Sequence, residues 1–398
     1  MHQNSLLRNA IILGLITAVG PFAIDMYLPA LPAIGTSLGD PKEALYTLTA
    51  FFASFGIFQL IFGTISDMYG RRGPLLAGLA LFVVAGIGCA MSHSILSLVI
   101  LRFLQGIGGA AGIIIARAIV RDLYHGLQEV KMMSLLMLVF SVSPLLAPLA
   151  GSYIVEYTNW QTIFWTLSAL GMLGMILILG CLSETLPAEK RIRTGFSGMK
   201  SAFAALLRDR PYIGMTLIGA FGITAFFIFL GNSSFVMIDF YSLTPRQFSL
   251  IFSANAVAFF AAAQCNEALA KRFSIHAIIL PAAVGFAFFM TLMAAFVLMG
   301  NTSLYLMLGL MFAGFAFLGL IIPTISVLAL ANHADIAGTA ASVANTFQLV
   351  VGSIAIAISG KLADGTPMPM VVGMAGCAIL TLLCSLWTFL ANKIEEPV

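Results

Sequence analysis

The segment Gly63-Thr64-Ile65-Ser66-Asp67-Met68-Tyr69-Gly70-Arg71-Arg72 is a charged turn set between two long apolar runs, near 43–65 and 73–92. A helix that crosses a bilayer needs about 20 apolar residues, and both runs meet that length. A second turn with the same spacing of charges lies 200 residues further on: Ala263-Gln264-Cys265-Asn266-Glu267-Ala268-Leu269-Ala270-Lys271-Arg272. Asp67 aligns with Glu267, and Arg71-Arg72 with Lys271-Arg272. Matched sign, spacing and position between apolar runs mark an internal repeat.

The flanking runs set the solvent. Of 398 residues, 60% are hydrophobic and 9% charged, against about 25% charged in a soluble domain. Backbone groups in lipid must be satisfied internally, which leaves helices or a closed barrel. A barrel would read as short alternating segments. Leu75–Ala90 and Ile163–Leu182 are instead unbroken apolar runs. The fold class is therefore an all-α membrane protein. Twelve candidate spans lie near 9–34, 43–65, 73–92, 95–117, 129–151 and 161–182, then 211–238, 246–268, 275–299, 303–329, 335–359 and 369–391. They predict two pseudo-symmetric six-helix bundles, 1–182 and 211–398, joined by a polar, basic cytoplasmic linker over 183–210.

Orientation follows from the placement of Lys and Arg, which accumulate on the cytoplasmic side. With the N-terminus cytoplasmic, fifteen of the nineteen fall inside, Lys42, Arg246 and Lys361 fall outside, and Arg102 falls within a span. Both termini are thus expected to be cytoplasmic. The first apolar run has no small-residue cleavage site and continues through Asp25 and Pro29, so it reads as an uncleaved span. The five cysteines sit inside apolar runs without zinc-type spacing and read as core residues.

Several motifs carry a family resemblance. Gly63-x3-Asp67-x2-Gly70-Arg71-Arg72 resembles the signature loop of the major facilitator superfamily. Arg102-Phe103-Leu104-Gln105-Gly106, with Gly108 and Gly109, resembles the fourth-span motif of its proton-coupled branch. The stretch Ser143-Pro144-Leu145-Leu146-Ala147-Pro148-Leu149-Ala150-Gly151 resembles the fifth-span antiporter motif, with Ser143 where the wider pattern has Gly. Asp25-Met26-Tyr27-Leu28-Pro29-Ala30-Leu31-Pro32 resembles the first span of bicyclomycin-resistance (Bcr/CflA) drug:proton antiporters, and Asn255 and Ala337-Gly338-Thr339-Ala340 also fit. Trp160-Gln161 departs from a Trp-Arg pattern. The resemblance implies proton-coupled efflux of small, mostly lipophilic molecules across a bacterial inner membrane by alternating access. It also implies a gate at the Asp67 turn that latches the bundles, with Asp67 near the start of the eleventh span at 336–338.

The buried charges carry the chemistry. An ionisable residue at membrane depth marks function by default. Removal from water favours the neutral acid, so Asp25 is a candidate to take up and release a proton. Arg102 stays charged. At about 1.5 Å per residue the two lie at similar depth. Arg102 therefore either faces Asp25 or braces the bundle through Gln105 and backbone carbonyls. The second half has Ala225 and Thr302 at the matching positions, which confines proton coupling to the first half, with Glu267 and Asp239 as fallback carriers.

Gly70 suits a left-handed helix C-cap, Gly63 a close helix approach, and Asp122 a partner for Arg71 or Arg72. Pro144 and Pro148 are expected to bend the fifth span, and Gly108-x3-Gly112 to pack a neighbour. Candidate cavity residues are Tyr27, Phe51, Phe55, Met137, Phe140, Asn232, Phe235, Asn255, Asn345 and Gln348. Soft walls of this kind suit varied ligands.

Other functions fit less well. Gly198-Met199-Lys200-Ser201 lacks a P-loop's glycine before lysine and its leading strand. A polytopic membrane enzyme would gather acids or histidines, yet the five histidines are scattered. A receptor fits poorly with a twelve-span repeat. A nutrient or metabolite carrier is the alternative within transporters, and the low polarity of the cavity candidates argues against sugars. The expected partners are small lipophilic molecules, protons and the bilayer, with no nucleic acid, no cofactor beyond the proton gradient, and a monomeric chain.

Overall fold

A computed structural model describes residues 2–39, 41–191, 203–273, 275–331, 333 and 337–391. Among the described residues, twelve helices are long and apolar enough to cross a membrane. They are Leu6–Leu38, Pro41–Tyr69, Arg72–Ala90, Ile95–Leu123, Leu127–Tyr157 and Gln161–Cys181, then Arg210–Phe240, Pro245–Ala270, Ala277–Leu298, Leu304–Ala331, Gly338–Leu362 and Met368–Phe389. We refer to them as the first to twelfth spans. Each expected apolar run corresponds to one of them, because in lipid an apolar run that long has only the helix to satisfy its backbone.

The chain divides into two compact units, Met1–Gly198 and Met199–Val398. Within the first unit the spans pair 2 with 4, 3 with 4, 3 with 6, and 1 with 4, 5 and 6. Within the second they pair 8 with 10, 9 with 10, 9 with 12, and 7 with 10, 11 and 12. Adding six to each number of the first set gives the second, so the repeat seen in the turns is a repeat of packing.

Small residues make the closest approaches. A Cβ on Gly108 would come within 2.5 Å of the Gly78 carbonyl oxygen and of the Phe82 nitrogen on the third span. One on Gly112 would come within 2.8 Å of the Ile16 carbonyl oxygen on the first. The Gly108-x3-Gly112 face therefore seats the fourth span against two neighbours at backbone distance. Gly63 does not act this way: a Cβ there meets only Ile114 at 3.7 Å, an ordinary contact.

One further expectation is corrected. Only Cys89 is a fully buried cysteine, while Cys181 and Cys265 are exposed. In a bilayer an outward face is itself apolar, so a small apolar residue is at home there. The fifth span is one helix from Leu127 to Tyr157 with Pro144 and Pro148 inside it, whereas the first span is interrupted after Asp25. The start of the stretch after the sixth span packs on the first unit: Leu186 is buried, and Glu184 and Thr185 bond to Arg71 and Asp122.

Candidate functional site

The first span is helical to Asp25, turns at Met26-Tyr27, winds as a 3-10 turn over Leu28–Ala30 and resumes as α-helix at Leu31–Leu38. Proline chemistry explains the interruption. Pro29 and Pro32 have no N–H, which removes the donors that the carbonyls of Asp25 and Leu28 would meet one turn on. The span nevertheless extends past the expected residue 34, because Pro32 sits in the first turn of the resumed helix, where no N–H is needed.

Asp25 thus ends a helix segment inside the bundle, and it is buried, at 5% exposure. Its Oδ2 accepts a hydrogen bond from the Ser143 hydroxyl at 3.4 Å, and Ser143 is fully buried on the fifth span. The departure from glycine at 143 therefore supplies the carboxyl group's hydroxyl partner. The fifth span also presses on the break itself: a Cβ on Gly151 would collide with the Met26 carbonyl oxygen.

Arg102 is fully buried and makes no ion pair with Asp25. Its Nη1 donates to Gln105 Oε1 at 2.9 Å and its Nη2 to the Ala23 carbonyl at 3.1 Å. The guanidinium lies 4.2 Å from the Phe51 ring centre, 4.5 Å from Tyr27 and 5.7 Å from Phe164. Of the two sequence-level alternatives, the bracing one is realised. The cation caps a carbonyl at a helix end, where positive charge is favoured. Three aromatic faces share its charge, an arrangement worth up to about 2 kcal/mol per ring when desolvated. Tyr27 is held in turn by a 2.7 Å hydrogen bond between its hydroxyl and that of Thr47.

The Asp67 turn is a second constellation. Arg71 is 7% exposed. Its Nε donates to Asp122 Oδ2 at 2.9 Å, and its Nη1 to Ser66 Oγ at 2.8 Å and to Asp67 Oδ1. Burial pulls the guanidinium's pKa down, but the two carboxylates outweigh it and hold the group above its ordinary value. Asp122 also accepts from the Thr185 hydroxyl at 3.0 Å. Gly70 has φ +95°, as a left-handed C-cap requires, and a Cβ there would come within 2.5 Å of Glu184 Oε2.

Glu184 is the residue that sequence reasoning misses. Its carboxylate accepts four backbone N–H groups: Arg71 at 2.7 Å, Thr185 at 3.0 Å, Leu186 at 3.1 Å and Arg72 at 3.2 Å. Partial burial pushes its pKa up, yet those donors outweigh it and hold the acid below the usual carboxylate range. Arg72 meanwhile donates to the Leu179 carbonyl at 2.9 Å. The available signal was an acid placed just past the sixth span, which reads as linker until the chain folds back on the turn. Ile336, the expected neighbour of Asp67, lies outside the described residues.

The matching turn of the second half keeps the signature but not the network. Lys271 Nζ and Glu267 Oε1 pair at 2.7 Å with side chains 72% and 81% exposed. Asn266, aligned with Ser66, works elsewhere. Its Nδ2 donates to the carbonyls of Gly319 at 3.4 Å and Leu320 at 3.2 Å. Pro323 lacks the N–H that would have met Gly319 one turn earlier, and Asn266 takes its place.

The cavity candidates separate. Phe51 and Phe55 are buried in the first unit, stacked at 5.5 Å, with Phe51 under Arg102. Asn232 is buried and donates to Ser359 Oγ at 2.7 Å, tying the seventh span to the eleventh. Asn255 is buried and donates to the Ile251 carbonyl at 3.0 Å. Phe140, Phe235, Asn345 and Gln348 are half-buried, and Met137 is exposed. Phe235 opens a π-helical turn, Phe235–Phe240, a form frequent at functional sites. Glu267 and Asp239, the fallback proton carriers, are both exposed.

Known proteins resemble this arrangement along the whole chain. The chain is 34% identical over 371 residues to the uncharacterized MFS-type transporter YdgK of Bacillus subtilis (strain 168), covering 92% of this chain and 91% of that one. It is 28% identical over 397 residues to the bicyclomycin resistance protein homolog of Haemophilus influenzae, covering 98% of both. A shorter match, 31% over 221 residues and 55% of both chains, is to the multidrug resistance protein MdtL of Klebsiella pneumoniae (strain 342). Among solved structures, a D-xylose-proton symporter superposes with a TM-score of 0.72 at 16% identity, over 96% of this chain and 97% of that one. The model of the Major Facilitator Superfamily matches residues 13–357. With twelve spans in two matching sets of six and that match over most of its length, the chain belongs to the Major Facilitator Superfamily and is a membrane transporter.

Proposed function

We propose that this transporter expels small lipophilic molecules from a bacterial cell in exchange for protons, with Asp25 as the proton-carrying group. The observation that carries the reading is the state of Asp25: a buried carboxyl at a helix break, bonded by a hydroxyl and with no ion-pair partner among the described residues. A carboxylate locked to an arginine would resist protonation, whereas one partnered by a hydroxyl can exist in both forms, since a hydroxyl donates or accepts. Arg102 acts as a positioning residue, fixing the broken helix that presents the carboxyl. The relatives named for drug resistance support an efflux direction, and the apolar character of the spans supports lipophilic cargo.

In this reading the chain works by alternating access, with both termini cytoplasmic in the inner membrane, as a monomer. Its Arg71–Asp67–Asp122 turn is a cytoplasmic latch. The decisive experiment is proton release on addition of bicyclomycin, or of members of a lipophilic compound panel, to the detergent-solubilised protein near neutral pH. Wild type releases protons and Asp25→Asn does not. Equal release from both proteins would remove Asp25 as the carrier.

A further inference from the structure

Arg117 lies within the fourth span, Ile95–Leu123, rather than in the loop beyond it. Counted at about 1.5 Å per residue, it sits roughly 9 Å in from the helix end. It is half-buried, and its Nε is wholly buried without a hydrogen-bond partner. Among the described residues no carboxylate pairs with it. The nearby acid in sequence, Asp122, is occupied by Arg71 and Thr185. What Arg117 does have is a ring: its guanidinium lies 5.8 Å from the centre of Phe140 on the fifth span. Arg121 follows one turn later on the same helix face, where like charges oppose each other.

A half-buried guanidinium whose buried Nε has no acceptor is costly unless an anion meets it. Arginine remains charged, so the cost cannot be relieved by deprotonation. The fork of donors matches a carboxylate or phosphate, and the adjoining ring offers an apolar face beside it. We propose that Arg117 on the fourth span and Phe140 on the fifth form an anion-recognition site, for amphipathic molecules with an anionic oxygen head and a lipophilic, preferably aromatic, body. Such a head can belong to a transported compound or to an anionic lipid. The inference deepens the efflux reading by naming a cargo class, but the site does not depend on proton coupling.

The test is equilibrium binding at fixed pH, without a gradient, to the full-length protein in nanodiscs. The probes are 2-naphthoic acid and its methyl ester, in discs of phosphatidylcholine alone or with phosphatidylglycerol. In phosphatidylcholine, wild type is expected to bind the acid about tenfold more tightly than the ester, the scale of one charge-assisted hydrogen bond. Arg117→Gln should level the two, and Arg117→Lys should restore part of the preference. Should phosphatidylglycerol rather than the acid raise the melting temperature, and only when Arg117 is present, the head is supplied by the bilayer. Phe140→Leu keeps the charge and covers the case of a misfolded Arg117 variant. It should weaken naphthoate relative to octanoate. Equal binding of acid and ester by wild type, with no Arg117-dependent response to phosphatidylglycerol, overturns the site. Proton release by neutral cargo would survive that result, so the two readings fail separately.

Discussion

The side chain of Arg102 donates to the backbone carbonyl of Ala23 at 3.1 Å and leaves the carboxyl of Asp25 to Ser143. Two charges at similar depth in one bundle are thus kept apart in function. The arginine shapes the helix end, and the acid is left with a hydroxyl partner.

Replacing Arg102 tests that division. Arg102→Ala deletes the cap on Ala23 and empties the space among Tyr27, Phe51 and Phe164. We expect a loss of about 2–4 kcal/mol, by the scale of buried charged hydrogen bonds and large-to-small changes in a core. Arg102→Lys should recover little, since an ammonium cannot reach Gln105 and Ala23 together as a planar fork does. Thermal unfolding in detergent, followed by intrinsic fluorescence, reads the difference; a lysine variant as stable as wild type would contradict the bracing role.

Gly151 makes a steric prediction. A Cβ at this position has no room against the Met26 carbonyl oxygen, which is backbone and cannot swing away. Gly151→Ala should therefore displace the fifth span from the break in the first, at a cost of about 1–3 kcal/mol. Gly63→Ala, with only Ile114 at 3.7 Å, should be nearly neutral. Melting temperatures of the two variants, compared side by side, check this contrast; equal values would contradict it.

Glu184 makes a pH prediction. The folded state holds this acid below its unfolded value, so its stabilisation is present above the unfolded pKa of about 4.3 and fades as pH falls through the lower folded value. The group is exposed, so solvent screening limits the effect to about 1 kcal/mol. Glu184→Gln should lower the melting temperature near pH 7, and the gap from wild type should close at acidic pH. A gap independent of pH would mean that the carboxylate's charge is irrelevant to the clasp.

The repeated turns should behave unequally. Arg71→Ala leaves Asp122 without its cation in a mostly buried place, and removing one partner of such a pair costs about 3 kcal/mol or more. Lys271→Ala breaks a pair exposed on both sides, worth about 0.5 kcal/mol or less. Transport assays should show the same contrast, with cycling slowed by Asp67→Asn or Arg71→Lys and unchanged by Glu267→Gln. Comparable losses from both turns would contradict the difference between the two networks.

Twelve helices in two matching sets were legible in the sequence, because lipid leaves an apolar run of some 20 residues no other way to bond its backbone. The Arg71–Asp122 partnership and the left-handed Gly70 were legible for similarly local reasons: charge, spacing and the conformational freedom of glycine. Residue counting placed Asp25 and Arg102 at one depth, but depth along a helix does not fix the direction a side chain takes. Only the packed bundle turned Arg102 toward Ala23 and brought Ser143, more than a hundred positions away, to Asp25. Glu184 and Asn266 belong to the same class. Each satisfies backbone groups, freed by a turn or a proline, that belong to a distant segment, and such a debt becomes visible only when the segments meet in space.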